Sequence, residues 1–410
     1  MNDAPPVDVA RVIADLRELD RRTGGPGGAR RVAWSETWHE ARRFLGELLA
    51  EIGLEAESDA AGNQRAVLEG DSRAAVALGS HLDSVPAGGW LDGALGVIAA
   101  AGVIRAWAGC GRRPPRDLML IDWADEEGSR FGHSLVGSQA ATGSLDAGHL
   151  SGLRDEDGRP AGEVLAESGV ELDRIADATG WIDELSAYLE LHIEQGPVLE
   201  SEDLALAAVE GCAGIERFRL RFEGQASHAG TTPIELRRDA GLAAAATALA
   251  IERIATERHG VGTTGELGLE PGIITAVPGG AELGVDLRHP EAEPLAAMTA
   301  AVRAAALAAA AERRCELSES PVWSIAPTGF DPGLVGLAAE ACESASGSAR
   351  ILTSGALHDA ASVAPLVPTA MIFCRSVAGL SHAPEENSTE ADLTLAIEAF
   401  ADLTARALET

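Results

Sequence analysis

Residues 79–97 read GSHLDSVPAGGWLDGALGV and directly follow the apolar run AAVAL at residues 74–78. A short apolar run of this kind, bounded by charge on one side and glycine on the other, predicts a buried strand. His81, Asp83 and Asp92 then follow among several glycines. Ligands of open α/β sheets bind beyond the carboxyl ends of the strands, and glycine lets a backbone approach them closely. We therefore expect this stretch to connect a central strand to a functional site.

Strands and helices alternate on both sides of this stretch. Ser35 is placed to cap the second of two N-terminal helices. The alternation predicts the α/β class, with a mostly parallel sheet flanked by helices. The predicted elements are helices at residues 8–21, 36–52 and 95–107, and strands at residues 73–80, 117–127 and 187–196.

The pattern changes near Gly211, where a self-contained unit begins. Its order is β-α-β-β-α-β, which is the ferredoxin-like arrangement. The sequence therefore predicts one α/β domain, residues 1–211 and 327–410, interrupted by an inserted α+β domain at 212–326. The predicted elements of the insert are strands at 215–223, 261–268, 281–288 and 315–322, and helices at 236–258 and 293–313.

Composition excludes several classes of protein. The chain has 32 Arg, no Lys and 64 acidic residues, for a net charge of −32. Such a surface repels phosphate backbones, so nucleic acid is not an expected partner. The five cysteines form no CxxC pair, which indicates reduced thiols and no disulfide framework. We see neither a signal peptide nor an apolar run of about 18 residues, and expect a cytoplasmic protein that has no membrane partner.

Potential metal ligands follow several of the predicted strands. A single histidine at a strand end is usually an ordinary surface residue, and adjacent glutamates usually lie in a solvated turn. Together at one sheet edge, however, these carboxylates would repel one another unless a cation neutralised them. Imidazole with carboxylate favours zinc, manganese, cobalt or nickel over calcium or magnesium. The candidates are His81, Asp83, Asp92, Asp125, Glu126, Glu127, His192, Glu194, Gln195 and His382.

The spacing of these residues suggests a different role for each of them at a metal site. Alternate residues of a strand share a face, so Asp83 is placed to orient the His81 ring. Asp92, on its glycine-flanked loop, is placed to bridge two ions. The side chains of Glu126 and Glu127 diverge, so one can bind metal while the other faces the water between the ions.

The chain resembles the N-carbamoyl-L-amino-acid amidohydrolase and allantoate amidohydrolase branch of the dinuclear-metal aminoacylase/carboxypeptidase family. The resemblance covers nearly the whole chain. It implies a metallopeptidase-like catalytic domain, an inserted lid and dimerisation domain, two divalent cations per subunit and a homodimer. The motifs that carry it are GSHLDSVPAGGWLDGALGV, DWADEEGSRFGHSLVGS, ELHIEQGPVLE, GQASHAGTTPIELRRDA, SGALHDA and GLSHAPEE.

The resemblance also implies roles for individual residues. His192 favours this branch, since many peptidases of the wider family have a carboxylate at its position. Glu126 falls on the general base and Asp83 lies behind His81. The ligands implied are His81, Asp92 and His192 for one metal, and Asp92, Glu127 and His382 for the other.

Substrate contacts are implied for Gln195, His228, Thr275, Arg288 and Gly355. From the residues alone, Arg288 fits a structural ion pair and His228 a turn residue. His358 and Asp359 either line the site or brace its loop. Two positions depart from the branch: Thr275 replaces the usual Asn, and Arg375 stands where Pro is common.

The reaction implied is hydrolysis of a ureido C–N bond in a small substrate that carries a carboxylate. N-carbamoyl-L-amino acids come first, with release of ammonia, carbon dioxide and the free amino acid. His228 would stabilise the oxyanion and Arg288 would hold the carboxylate. Allantoate or a related ureide is the alternative, followed by N-acyl-amino acids or dipeptides. A binding protein with a degenerate site is a third hypothesis, which the intact ligand set disfavours.

Overall fold

The computed structural model describes residues 4–410. Its N-terminal helices begin at capping side chains, because a free backbone N–H at a helix start needs an acceptor. Asp8 accepts from Arg11 N at 3.0 Å. Ser35 accepts from Trp38 N at 3.2 Å, which confirms the predicted cap.

Strands and helices alternate as the sequence predicts. The strands are β1 (Glu57–Ser58), β2 (Gln64–Leu68), β3 (Ala75–His81), β4 (Leu118–Trp123), β5 (Leu185–Ile193), β6 (Leu206–Cys212), β7 (Gly214–Glu223), β8 (Ser227–His228), β9 (Val261–Glu270), β10 (Ala276–Val277), β11 (Gly280–His289), β12 (Glu316–Ile325), β13 (Thr328–Gly329), β14 (Ile351–Ser354) and β15 (Thr369–Cys374). The α-helices are α1 (Val9–Thr23), α2 (Glu36–Ala50), α3 (Ala94–Gly109), α4 (Val136–Ala141), α5 (Ala147–Gly152), α6 (Ala161–Glu167), α7 (Val198–Ser201), α8 (Ala240–Glu257), α9 (Ala292–Arg313), α10 (Pro332–Ser346), α11 (Asp359–Val363) and α12 (Glu390–Glu409).

The chain divides into two compact units, Met1–Gly211 with Gly329–Thr410, and Cys212–Thr328. The larger unit has a nine-stranded sheet in the order β1-β2-β4-β3-β5-β15-β6-β13, with β14 paired to β6. Strands β4, β3, β5 and β15 run parallel, whereas β2 and β6 join this centre antiparallel. All seven residues of β3 are buried, as expected of a central parallel strand.

The parallel centre places the predicted polar residues at one edge of the sheet. Strand β3 ends at His81, and β5 ends one residue after His192. Strand β4 ends at Trp123, just before Glu126 and Glu127. Because these strands are parallel, their carboxyl ends meet at the same edge.

The smaller unit has the predicted β-α-β-β-α-β order. Its four-stranded sheet runs β12-β7-β11-β9, with every neighbouring pair antiparallel. Helices α8 and α9 pack against this sheet, and their buried residues join its core. This is the ferredoxin-like arrangement.

Helix α8 begins later than predicted, at Ala240 instead of residue 236. Asp239 caps it by accepting from Leu242 N at 3.0 Å, and a 3₁₀ turn at Ile234–Leu236 precedes the cap. A capping acceptor outweighs the apolar periodicity that continues upstream.

Helix α9 bears on the expectation that no apolar run of about 18 residues could span a bilayer. This helix is long and apolar enough to meet the composition of a membrane span. Its apolar stripe, however, packs into the core of the smaller unit. The stripe consists of Leu295, Met298, Val302, Ala306, Ala309 and Ala310.

Candidate metal centre

His81 and Asp83 form the base of the site, at the end of β3. Both side chains are buried. His81 Nδ1 lies 3.1 Å from the Asp83 carbonyl oxygen and 3.5 Å from Asp83 Oδ1. Asp83 also accepts from the backbone N–H groups of Glu126 at 3.2 Å and Glu127 at 3.1 Å. Asp83 therefore lies behind the His81 ring, as expected, and also holds the turn that carries both glutamates.

A first donor cluster contains His81, Asp92 and His192, all buried. Asp92 Oδ1 lies 3.2 Å from His192 Nε2 and 4.0 Å from His81 Nε2. The His192 ring is fixed from behind, since its Nδ1 lies 3.0 Å from the Ile193 carbonyl oxygen. Glu126 Oε2 lies beside the cluster, 3.7 Å from His81 Nε2.

A second cluster contains Asp92, Glu127 and His382. His382 Nε2 lies 3.3 Å from Asp92 Oδ2 and 3.4 Å from Glu127 Oε2. Asp92 thus presents one oxygen to each cluster, which is the geometry of a bridging carboxylate. His382 is half-exposed and has a positive φ of 55°, a conformation that its surroundings must enforce.

The donors fit two divalent cations. Ligand atoms about 2.0–2.2 Å from a tetrahedral ion lie about 3.3–3.6 Å apart, close to most of the separations above. His192 Nε2 and Glu127 Oε1 are buried and have no hydrogen-bond partner among residues 4–410. Without a cation, burial raises the pKa of Glu126 well above its usual range and that of Glu127 to about 7. A bound cation would reverse this penalty, because it stabilises the ionised carboxylates.

The turn after β4 separates the two glutamates. Asp125, which precedes them, has a φ of 56°. Trp34 Nε1 donates to Asp125 Oδ2 at 2.8 Å and fixes this left-handed residue. The turn directs Glu126 toward the first cluster and Glu127 toward the second. The role of Trp34 could not be predicted from the sequence, because Trp34 lies 91 residues from Asp125.

Glu190 and His358 lie close to His192 in the interior. Glu190 is buried and accepts from Ser80 Oγ at 2.9 Å and from the Tyr188 hydroxyl at 3.1 Å. The His358 ring packs edge-on against His192, with centroids 4.4 Å apart, and its Nε2 lies 2.9 Å from Ser354 Oγ. His358 therefore contacts both the ligand candidate His192 and Ser354 of its own loop. Glu190 was missed because it reads as one polar residue in an apolar strand.

Asp359 lies next to His358 at the start of α11. It is fully buried, and burial raises the pKa of its carboxyl well above the usual range. Gly355 is exposed, in the loop that follows β14.

Gln195 and Glu194 follow β5 and differ in what they contact. Gln195 has a φ of 56°, and its Nε2 donates to Asp92 Oδ2 at 3.0 Å. Glu194, a candidate ligand in the sequence, instead accepts from Val198 N at 2.7 Å and Leu199 N at 3.0 Å. The interpretation of Glu194 as a ligand is therefore wrong: its carboxylate satisfies the free N–H groups at the start of α7.

His228 and Thr275 lie together in the smaller unit, where β8 pairs with β10. His228 is exposed, and its Nδ1 accepts from Gly230 N at 3.0 Å and Thr231 N at 3.2 Å. A neutral His228 ring therefore carries its proton on Nε2. The loop that follows is clamped by Arg237, whose Nη2 donates to the Ala229 carbonyl at 2.6 Å.

Arg288 and Arg375 both form bidentate ion pairs. Arg288 donates through Nε and Nη2 to Asp286 at 2.8 and 3.1 Å, the structural pairing considered from the sequence. Arg217 Nε binds the same carboxylate at 2.6 Å. Arg375 pairs with Asp392 at 3.1 and 3.0 Å. The departure at Arg375 is therefore explained by an ion pair to the start of α12.

The larger unit has a sheet with a parallel centre and two clusters of imidazole and carboxylate groups at its edge. A ferredoxin-like unit interrupts the chain of this larger unit. Together these features define a metallopeptidase-like hydrolase. Residues 77–406 match the sequence profile of Peptidase family M20/M25/M40, and the chain belongs to this family.

Individual relatives lie in the branch that the sequence resembles. The chain is 37% identical over 390 residues to the N-carbamoyl-L-amino acid amidohydrolase of Geobacillus stearothermophilus, with 94% of each chain covered. It is 32% identical over 386 residues to the allantoate amidohydrolase of Escherichia coli strain K12, with 92% of each covered. A crystal structure of a hydantoinase/carbamoylase family amidase from Burkholderia multivorans superposes with a TM-score of 0.91, at 32% identity and 98% coverage of both chains.

Proposed function

We propose that this protein is a metal-dependent amidohydrolase that cleaves a ureido C–N bond of N-carbamoyl-L-amino acids. The observation that carries the proposal is the convergence of two donor clusters on Asp92, with the carboxylate of Glu126 beside them. The similarity to the Geobacillus enzyme, which extends over nearly the full length of both chains, supports the substrate class.

In this proposal His81, Asp92 and His192 hold one divalent cation, and Asp92, Glu127 and His382 hold the other. The donor set suits zinc, manganese, cobalt or nickel. Asp83 keeps His81 in the tautomer that presents Nε2, since it contacts Nδ1.

Glu126 acts as the general base and then as the general acid. Two bound cations would lower the pKa of a shared water and polarise the ureido carbonyl. Glu126 takes a proton from the attacking water and delivers it to the leaving nitrogen, so that the C–N bond breaks without a strongly basic leaving group. This cleavage leaves a carbamate, which loses carbon dioxide by breaking the second C–N bond, so that the products are ammonia, carbon dioxide and the free amino acid.

Some of the proposed substrate contacts come from residues of the smaller unit. His228, with its Nε2 proton directed away from the loop that binds Nδ1, stabilises the oxyanion, an effect worth about 3–4 kcal/mol in comparable sites. Arg288 holds the substrate carboxylate, and Asp286 fixes the orientation of the Arg288 guanidinium. Gln195, Thr275 and Gly355 complete the substrate site. We further propose that this unit serves as lid and homodimer interface, and that the enzyme works in the cytoplasm, where its five cysteines stay reduced.

Allantoate is the second candidate substrate. The similarity to the Escherichia coli allantoate amidohydrolase favours it.

The test is hydrolysis by metal-loaded protein of N-carbamoyl-L-amino acids, allantoate, N-acetyl-L-amino acids and dipeptides. We expect ammonia release from the first substrate class, with kcat/KM at least tenfold above that for acetyl and dipeptide substrates. Chelator-treated protein and the Glu126→Gln variant serve as controls and should be inactive. Faster hydrolysis of dipeptides or acetyl substrates would contradict the proposal, and a preference for allantoate would select the second candidate.

A further inference from the structure

The glycine-rich loop that carries Asp92 contains two glycines that its surroundings require. A Cβ on Gly93 would overlap the His81 ring, and Gly93 also has a positive φ of 63°. A Cβ on Gly89 would overlap the carboxylate of Glu386. The first overlap lies within the metal centre. The second involves a residue that has no part in the ligand set.

Glu386 is buried in contact with this loop. It is 2% exposed, whereas its neighbour Glu385 is exposed. Its Oε1 accepts from Leu91 N at 3.2 Å and from Asp92 N at 3.0 Å. A buried carboxylate needs such partners, and the two N–H groups would otherwise be buried without an acceptor.

The other oxygen of Glu386 reaches the Asp92 side chain through Ser381. Glu386 Oε2 accepts from Ser381 Oγ at 2.9 Å, and Ser381 Oγ lies 3.2 Å from Asp92 Oδ2. Glu386 therefore contacts both the backbone of Asp92 and the hydroxyl group beside its carboxylate.

Glu386 also belongs to the segment that carries the second histidine. His382, four residues earlier, has a strained positive φ and lies 3.3 Å from Asp92 Oδ2. Immediately after Glu386, Asn387 Oδ1 accepts from Trp90 Nε1 at 3.3 Å. The Gly89–Asp92 loop and the Ser381–Asn387 segment thus bind each other along their length, with Glu386 at the centre.

We propose that Glu386 is the positioning residue of the metal centre. It holds the Asp92 carboxylate and the His382 segment in register, so that one carboxylate can serve both clusters, and Gly89 provides the space for it. This rests on the metal centre of the proposed function. Glu386 acts through Asp92 and touches neither the substrate nor the reacting atoms.

The test compares Glu386→Ala, Glu386→Gln and the control Glu385→Gln in the full-length protein. The measurements are zinc and manganese affinity by competition with a chromophoric chelator, bound metal per subunit after dialysis, and kcat and KM separately. Glu386→Ala should weaken the affinity for both cations about 10- to 100-fold, as is typical when a partner of a ligand is removed. Gln keeps an oxygen for the two N–H groups, so Glu386→Gln should recover most of the affinity. Glu385→Gln should match the wild type.

Gly89→Ala tests the space requirement separately. The added methyl group displaces the Glu386 carboxylate, so metal affinity should fall as in Glu386→Ala. Gly27→Ala is its control, because a Cβ there meets no atom within 4 Å. The proposal is overturned if folded Glu386→Ala binds both cations as tightly as the wild type, or if Glu386→Gln is as impaired as Glu386→Ala. If Glu386→Ala does not fold, the metal affinities of Glu386→Gln and Gly89→Ala decide whether Glu386 positions the metal centre. If the wild type itself binds no cation, that result contradicts the proposed metal-dependent function and not the role of Glu386 alone.

Discussion

At the scale of single residues, the centre depends on how Asp92 and the two glutamates share their charges. Asp92 is buried, yet its contacts with His192 and His382 hold its pKa well below the usual range against the effect of burial. Glu126 and Glu127 have no comparable compensation, and burial raises the pKa of both. The ionised site therefore has more buried negative charge than its histidines balance, which favours cation binding.

The adjacent glutamates should respond differently to substitution. Glu126→Gln keeps the size of the side chain but cannot accept a proton, so metal content should stay normal while kcat falls about 10²- to 10⁴-fold. Glu127→Ala should lose metal, because it removes a donor 3.4 Å from His382 Nε2. Metal analysis alongside steady-state kinetics checks both. Equal metal loss in the two variants would mean that the roles are assigned wrongly.

At the scale of elements, the turn between β4 and α4 determines where the two carboxylates point. Asp125 adopts a left-handed conformation there, which costs a non-glycine residue of order 1 kcal/mol or more. The turn persists because Trp34 binds the Asp125 side chain, while Leu135 N donates to the Glu126 carbonyl at 2.8 Å. The position of the Glu126 carboxylate therefore depends on a tryptophan from the segment between α1 and α2.

Trp34→Phe should disturb this turn without leaving a large cavity in the core, because an aromatic ring is kept. It removes the N–H at 2.8 Å from Asp125 and leaves that buried oxygen without its donor, at a cost of about 1–3 kcal/mol in unfolding free energy. We expect kcat to fall more than KM rises. Urea unfolding and steady-state kinetics measure the two effects.

Trp38→Phe is the matched control for this variant. Trp38 is equally buried, but its Nε1 has no hydrogen-bond partner within residues 4–410. If Trp38→Phe lowers kcat as much as Trp34→Phe does, the loss arises from packing and not from the Asp125 contact.

At the scale of the whole molecule, the donor set links metal binding to the stability of the fold. The clusters join segments from β3, the β4 turn, β5 and the loop before α12, so a cation that binds only the folded chain stabilises it. Without a cation, those same segments bring mutually repelling carboxylates close together, which destabilises the fold. Metal-free and metal-loaded protein should therefore differ most where the carboxylates are ionised.

This difference should grow with pH. In the metal-free fold the pKa of Glu127 is about 7 instead of 4.5, so the folded chain binds a proton that the unfolded chain has released, and stability falls as pH rises through that window. The hydrogen bond with Asp92 raises the pKa of His382 from 6.5 to about 9, so the stability from this pair is present below pH 6.5 and lost as pH rises through 9. Cation binding strengthens over the same range, because the ligands must be deprotonated.

Thermal and urea unfolding between about pH 5 and 9, in chelator and in excess metal, measure this coupling. From Glu127 alone we expect the two unfolding free energies to diverge by on the order of 3 kcal/mol. A difference that stays constant or narrows as pH rises would contradict the assignment of these residues to the cation site.

The sequence by itself determined the order of elements, the inserted unit and the edge at which the polar residues lie. These features follow from local patterns: a short apolar run such as residues 74–78, with glycine directly after it, favours a buried strand. Some ligand candidates were recognisable for the same reason, since His81 and His192 lie at strand ends, whereas Asp92 and His382 lie in loops beyond β3 and β15. Where local signals competed, as at the start of α8 and at Glu194, a capping interaction decided the outcome and the sequence interpretation was wrong.

Only the tertiary structure decided how these residues are held. Trp34 reaches Asp125 across 91 residues, and Glu386 reaches Asp92 across 294. No periodicity links such positions, because their contact depends on the closure of the whole sheet and on burial, which requires each polar group to find a hydrogen-bond partner within the protein. The residue types that bind a cation can be read locally, whereas their mutual distances follow from the packing of segments that are far apart in the chain.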